Sequence, residues 1–167
     1  LGRGGRRPAR LVVVATQIAE QSFDVDADVL ITDLAPIDLL LQRVGRLHRH
    51  SRADRAAGFD EPTVLVTGLV TASGLAPTIA PAFEYVYDRY TLMRAAAVLG
   101  QRGQWWAVPG DVPSLVAAGY SNECAWPAGW AEAGEQARIA AEARREIRKI
   151  HASAGLLGPA WNAHPPR

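Results

Sequence analysis

Gln42, Arg46 and Arg49 stand four and three residues apart in the stretch QRVGRLHRH. On a helix of about 100° per residue, Arg46 falls about 40° to one side of Gln42 and Arg49 about 20° to the other. One narrow stripe would then present an amide and two guanidiniums. Guanidinium is permanently charged, and its planar fork of donors matches phosphate oxygens. Such a stripe suits contact with a polyphosphate and stabilisation of the charge that develops as a phosphoryl group is transferred. The competing reading is a solvated helix face, and two features oppose it. No acidic residue lies between Asp38 and Asp54, so nothing at helical spacing neutralises the arginines. The stretch also follows a β-rich run, and ligands of open α/β sheets bind at the carboxyl ends of the strands.

Other chemistry-bearing groups are weaker candidates. Asp24, Asp26 and Asp28 resemble the opening of a calcium loop, but Val29 stands where the loop needs glycine and Ala35 where it needs its last acid. His48, His50, His151, His164 and Cys124 show no zinc-ligand spacing. A phosphate-binding loop requires a lysine after its glycines, and the one lysine, Lys149, sits in a predicted helix. Five tryptophans could stack on unpaired bases, although core or interdomain packing accounts for them better.

The elements that must carry the arginines follow from periodicity. The run at 11–16 is continuous, β-branched and apolar, the pattern of a parallel strand covered on both faces, and the runs at 28–34 and 63–68 read as a second and a third strand. Residues 35–50 read as a helix with Pro36 in its first turn. Its apolar residues Leu40, Val44 and Leu47 point away from the Gln42 stripe, so one face is expected in a sheet layer. Strands alternating with a helix indicate an α/β layer. Residues 69–81 are punctuated by Pro, Gly and Ser and read as a linker. Helices are expected over 82–100, 111–120 and 129–153, with a loose tail over 154–167.

Composition sets outer limits. The chain has 167 residues, 49% of them hydrophobic and 21% charged, as in an ordinary globular domain. Formal net charge is +1, so any nucleic-acid site must be a local feature. A single cysteine excludes an internal disulfide framework and fits a reducing, cytoplasmic setting. No run approaches a membrane span.

The block VVVATQIAEQSFDVDADVLITDLAPIDLLLQRVGRLHRH resembles motifs V and VI in the second RecA-like domain of superfamily-two helicases. Its wording is similar to that of the CRISPR-associated helicase-nucleases of type I interference systems, and a weaker likeness continues to about residue 153. The resemblance implies a partial RecA-like helicase domain over 1–68, followed by a mostly helical extension over 82–153. It implies that Arg46 and Arg49 are arginine fingers on the γ-phosphate of ATP, with Gln42 near the same phosphates. Asp24 would hydrogen-bond the ribose, and Thr16 and Gln17 would touch the backbone of single-stranded DNA.

ATP and Mg2+ would serve the complete enzyme. Its partners would be single-stranded DNA, the N-terminal helicase and nuclease part, and the CRISPR surveillance complex. With no phosphate loop, magnesium motif or nuclease signature, this chain is expected neither to hydrolyse ATP nor to unwind DNA alone. The alternative is a non-catalytic nucleic-acid-binding or interaction module from a split or decaying gene.

Overall fold

A computed structural model describes residues 8, 10–16, 24–121 and 125–155. Strand β1 (Val29–Asp33) and strand β2 (Thr63–Thr67) pair in parallel, with Ile31 opposite Leu65. Helix α1 (Ile37–Val44) crosses between them. The alternating side chains of the pair explain its burial. Thr32 and Val66 turn towards the core, while Ile31 and Leu65 remain on the open face.

The expected third strand is not formed. Residues 11–16 belong to no strand, and Val12 and Val14 are 88% and 93% exposed. A continuous apolar run becomes a parallel strand only when a neighbour supplies both a ladder and a covering layer. The described residues around it supply neither. The segment read as a linker contains a short antiparallel hairpin, β3 (Leu69–Val70) with β4 (Thr78–Ile79), which buries Pro77 and Ile79.

The helical part contains α2 (Pro81–Glu84), α3 (Arg89–Gln101), α4 (Val112–Tyr120) and α5 (Ala131–Gly155), so the one helix expected over 82–100 is broken at residues 85–88. Asp88 caps α3 by accepting a 3.0 Å hydrogen bond from the Thr91 amide, a contribution of about 1 kcal/mol. Residues 92–98 of that helix are all buried, so α3 is the central rod of the core. Its one buried charge, Arg94, donates to the Ala118 carbonyl at 2.6 Å and lies 4.8 Å from the Trp126 ring centre. Trp126 also meets Tyr90 edge-on, and Trp130 is buried. Those aromatic residues pack rather than present faces to solvent, whereas Trp105 is exposed.

Helix α1 joins the two parts. Ile37, Leu40 and Leu41 are buried in the same cluster as Leu92, Met93 and Leu115. At Gly119 the two helices meet so closely that a β-carbon there would lie 2.2 Å from Ile37 Cγ2. Arg43, one residue on from Gln42, turns towards β1. It donates to Thr32 Oγ1 at 2.8 Å, to the Asp33 carbonyl at 3.1 Å and to the Tyr87 hydroxyl at 3.3 Å.

Candidate functional site

Helix α1 stops at Val44, six residues before the end expected from the sequence. The extrapolated helical wheel therefore does not place Arg46 and Arg49. Gly45 is a poor helix former, and the chain after it finds other partners. The Ala27 amide donates to the Arg46 carbonyl at 2.9 Å, and the His48 amide donates to the Ala27 carbonyl at 3.0 Å. Leu47 thus forms an isolated parallel bridge with Ala27 and is buried. His48 takes the left-handed backbone conformation, φ 46°, at a cost of about 1–2 kcal/mol. That bend ends the bridge and turns residues 49–55 back across the strand approach.

The turn brings the arginine stretch onto the acidic triplet. Asp24, Asp26 and Asp28 precede β1, on either side of the residue that holds the bridge. Arg49 Nε lies 3.6 Å from Asp24 Oδ1, and His50 Nε2 lies 2.8 Å from the same oxygen. Arg52 Nε is 2.8 Å from Asp26 Oδ2. Arg55 places one Nη 2.9 Å from Asp26 and the other 2.5 Å from Asp28. The triplet has no basic residue near it in the sequence, and the arginine stretch has only Asp54, 3.7 Å from Arg52. Each is the other's tertiary partner.

Depth separates these pairs. Asp24 and Arg49 are open to solvent, whereas Asp26 is only 3% exposed and Arg55 is nearly as deep. Burial pushes the Asp26 carboxyl pKa upward. Hydrogen bonds and charge from Arg55, a bond from the His50 backbone and one from Arg52 outweigh it, so the pKa lies below its ordinary value. Burial likewise acts to lower the Arg55 pKa, and its two carboxylates reverse the sign and raise it. Both groups are ionised throughout the neutral range.

The expected site residues therefore separate into groups. Gln42 is exposed on α1, Arg46 is half-buried in the turn after it, and Arg49 stands beside Asp24. Thr16 is exposed at the end of the irregular segment 11–16. Gln17 lies outside the described residues, as do Cys124, Trp161 and His164. Arg43, Arg52 and Arg55 were not singled out from the sequence. The usable signal was an alternating acidic triplet with no basic residue near it and a run of arginines with only Asp54 close by. Among the described residues, no group of three His, Cys, Asp or Glu is placed to hold a metal ion, and no helix is long and apolar enough to cross a membrane.

Comparison with known proteins bears out the resemblance and the α/β helicase-domain fold. A family model for the C-terminal region of the CRISPR-associated nuclease/helicase Cas3 matches residues 1–52. The chain is 40% identical over 147 residues to the CRISPR-associated endonuclease/helicase Cas3 of Thermus thermophilus, covering 87% of this chain and 15% of that protein. Over 65 residues it is 54% identical to the Escherichia coli protein of the same name, covering 39% of this chain and 7% of that one. The crystal structure of T. fusca Cas3-ADP superposes with a TM-score of 0.78 at 31% identity, over 93% of this chain and 18% of that one. A chain from a CRISPR RNA-guided surveillance complex, pre-nicking, gives a TM-score of 0.69 at 34% identity, over 87% of this chain and 17% of that one. The chain thus spans 15% or less of the length of these two curated relatives.

Proposed function

The chain belongs to the CRISPR-associated nuclease/helicase family, in its C-terminal helicase portion, and on that premise we propose that it supplies one wall of an ATP site and part of a single-stranded DNA track. In this reading Arg46 and Arg49 reach the γ-phosphate of ATP held by the N-terminal helicase part. Gln42 lies near the same phosphates, Asp24 bonds the ribose hydroxyls, and Thr16 and Gln17 contact the DNA backbone. The surveillance complex delivers the DNA, and the nuclease part degrades it.

The supporting observation is the turn after α1. It sets the exposed Asp24 carboxylate beside Arg49 in one solvent-facing group. The donor chemistry fits a nucleoside triphosphate, since two guanidiniums match phosphate oxygens and a carboxylate accepts from vicinal hydroxyls. Bound ATP would supply its γ-phosphoryl group, which passes to water as ADP leaves. The arginines neutralise charge on its oxygens as the bond to the leaving group lengthens, and Asp24 orients the sugar. Mg2+ is expected in the complete enzyme, and no residue of this chain is assigned to it.

Arginine fingers contribute about 10³–10⁵ in turnover. In the full-length protein, DNA-stimulated ATPase of Arg46→Ala and Arg49→Ala should fall by at least about 10³ while ATP binding changes little. Wild-type turnover in both variants would refute the finger assignment.

A further inference from the structure

The buried ion cluster behind Asp24 has no role in that reading, yet its geometry bears on Arg49. Beyond His48 the chain leaves the bridge with Ala27, and residues 49–62 form neither helix nor strand. An irregular segment of this kind lets an exposed, long guanidinium side chain wander unless something fastens its backbone. Here the fastening is at His50, the next residue. The His50 backbone hydrogen-bonds the Asp26 carboxylate, its carbonyl accepts from Arg55 Nη2 at 3.0 Å, and its ring lies 2.8 Å from Asp24. Arg55 in turn spans Asp26 and Asp28. One guanidinium therefore grips three acceptors on two chain segments.

We propose that Arg55, with Asp26, is a positioning residue that fixes the backbone at His50 and through it the place of Arg49. The proposal rests on the finger reading above. Arg55 is too deep to reach a nucleotide beside Arg49, so it acts through its neighbour. A lysine could not replace it, because a single ammonium cannot match the planar fork that joins Asp26, Asp28 and the His50 carbonyl. Loss of either partner leaves the other buried with one opposite charge fewer, Arg52 alone for Asp26 or Asp28 alone for Arg55.

The test uses the full-length protein and two probes, ADP alone and ADP with aluminium fluoride, which mimics the phosphoryl group in transfer. Arg49→Ala should weaken the fluoride complex by about a hundredfold or more and leave ADP affinity within about threefold. Arg55→Lys, which keeps the buried charge and so protects folding, should weaken the fluoride complex about tenfold with the same small effect on ADP. Because Arg55 acts through Arg49, the double variant should bind the fluoride complex no more than about twofold less tightly than Arg49→Ala.

A role in stability alone predicts otherwise. Arg55→Lys would then weaken both probes equally, or its effect would add in full to that of Arg49→Ala, and either result overturns the coupling. Wild-type affinity in Arg55→Lys also overturns it while leaving the finger assignment standing. An unchanged fluoride complex in Arg49→Ala overturns both.

Discussion

Arg49 Nε lies 3.6 Å from Asp24 Oδ1, and both side chains are open to water. An exposed pair at that distance contributes about 0–1 kcal/mol. A pair this weak can part for a phosphate, and in the proposed site it would hold Arg49 near the carboxylate assigned to the sugar until then.

Asp24→Asn should raise KM for ATP in the full-length protein and change kcat less. A ribose contact is present in ground state and transition state alike, so its loss removes uniform binding. Steady-state ATPase kinetics check this. A large fall in kcat at unchanged KM would place Asp24 on the reacting phosphate instead.

Acid sensitivity should centre on Asp26. Its folded pKa lies below the ordinary 3.8 because Arg55, His50 and Arg52 together outweigh the effect of burial. Stability from this group is therefore complete above that value and is lost as pH falls through the folded pKa. Denaturant midpoints measured from neutral pH downward should fall for the wild type. Asp26→Asn should be less stable at neutral pH, and its difference from the wild type should shrink in acid. A constant difference would remove the charge-based explanation.

Gly119→Ala should destabilise the protein although alanine is the better helix former by about 1 kcal/mol. The added carbon would stand 2.2 Å from Ile37 Cγ2 in the contact between α1 and α4. Overpacking of that kind costs about 1–3 kcal/mol. Thermal unfolding decides the sign, and a raised midpoint would show that α4 can shift away freely.

Tyr120 donates a 2.5 Å hydrogen bond to Asp38 in the first turn of α1. Tyr120→Phe should cost about 1 kcal/mol, discounted for exposure from the range for charged acceptors. Burial first, then the bond to Asp38 and the charges of Asp38 and Asp88, raise the phenol pKa above its ordinary 10. The stabilisation is therefore complete below pH 10 and is lost as pH rises further. Phenolate absorbance should show one tyrosine titrating late, and that signal should vanish in Tyr120→Phe.

Much of the architecture was legible because periodicity reports burial. Strands β1 and β2 and the apolar stripe of α1 appear in the structure close to where the sequence places them. Helices α3, α4 and α5 do so as well. The run at 11–16 carries the same kind of signal without becoming a strand. A strand requires a neighbour to complete its ladder, and composition cannot name that neighbour.

By itself the sequence determined which groups are available, namely Gln42, Arg46, Arg49 and an alternating acidic triplet, and the helical period that marks the buried face of α1. Only the tertiary structure decided that α1 ends at Val44, that His48 bends the chain back, and that Asp24, Asp26 and Asp28 are the counter-charges of Arg49, Arg52 and Arg55. The reason is range. Helical spacing is set by bonds within a few residues, whereas a charge pairs with whichever opposite charge the folded backbone brings near.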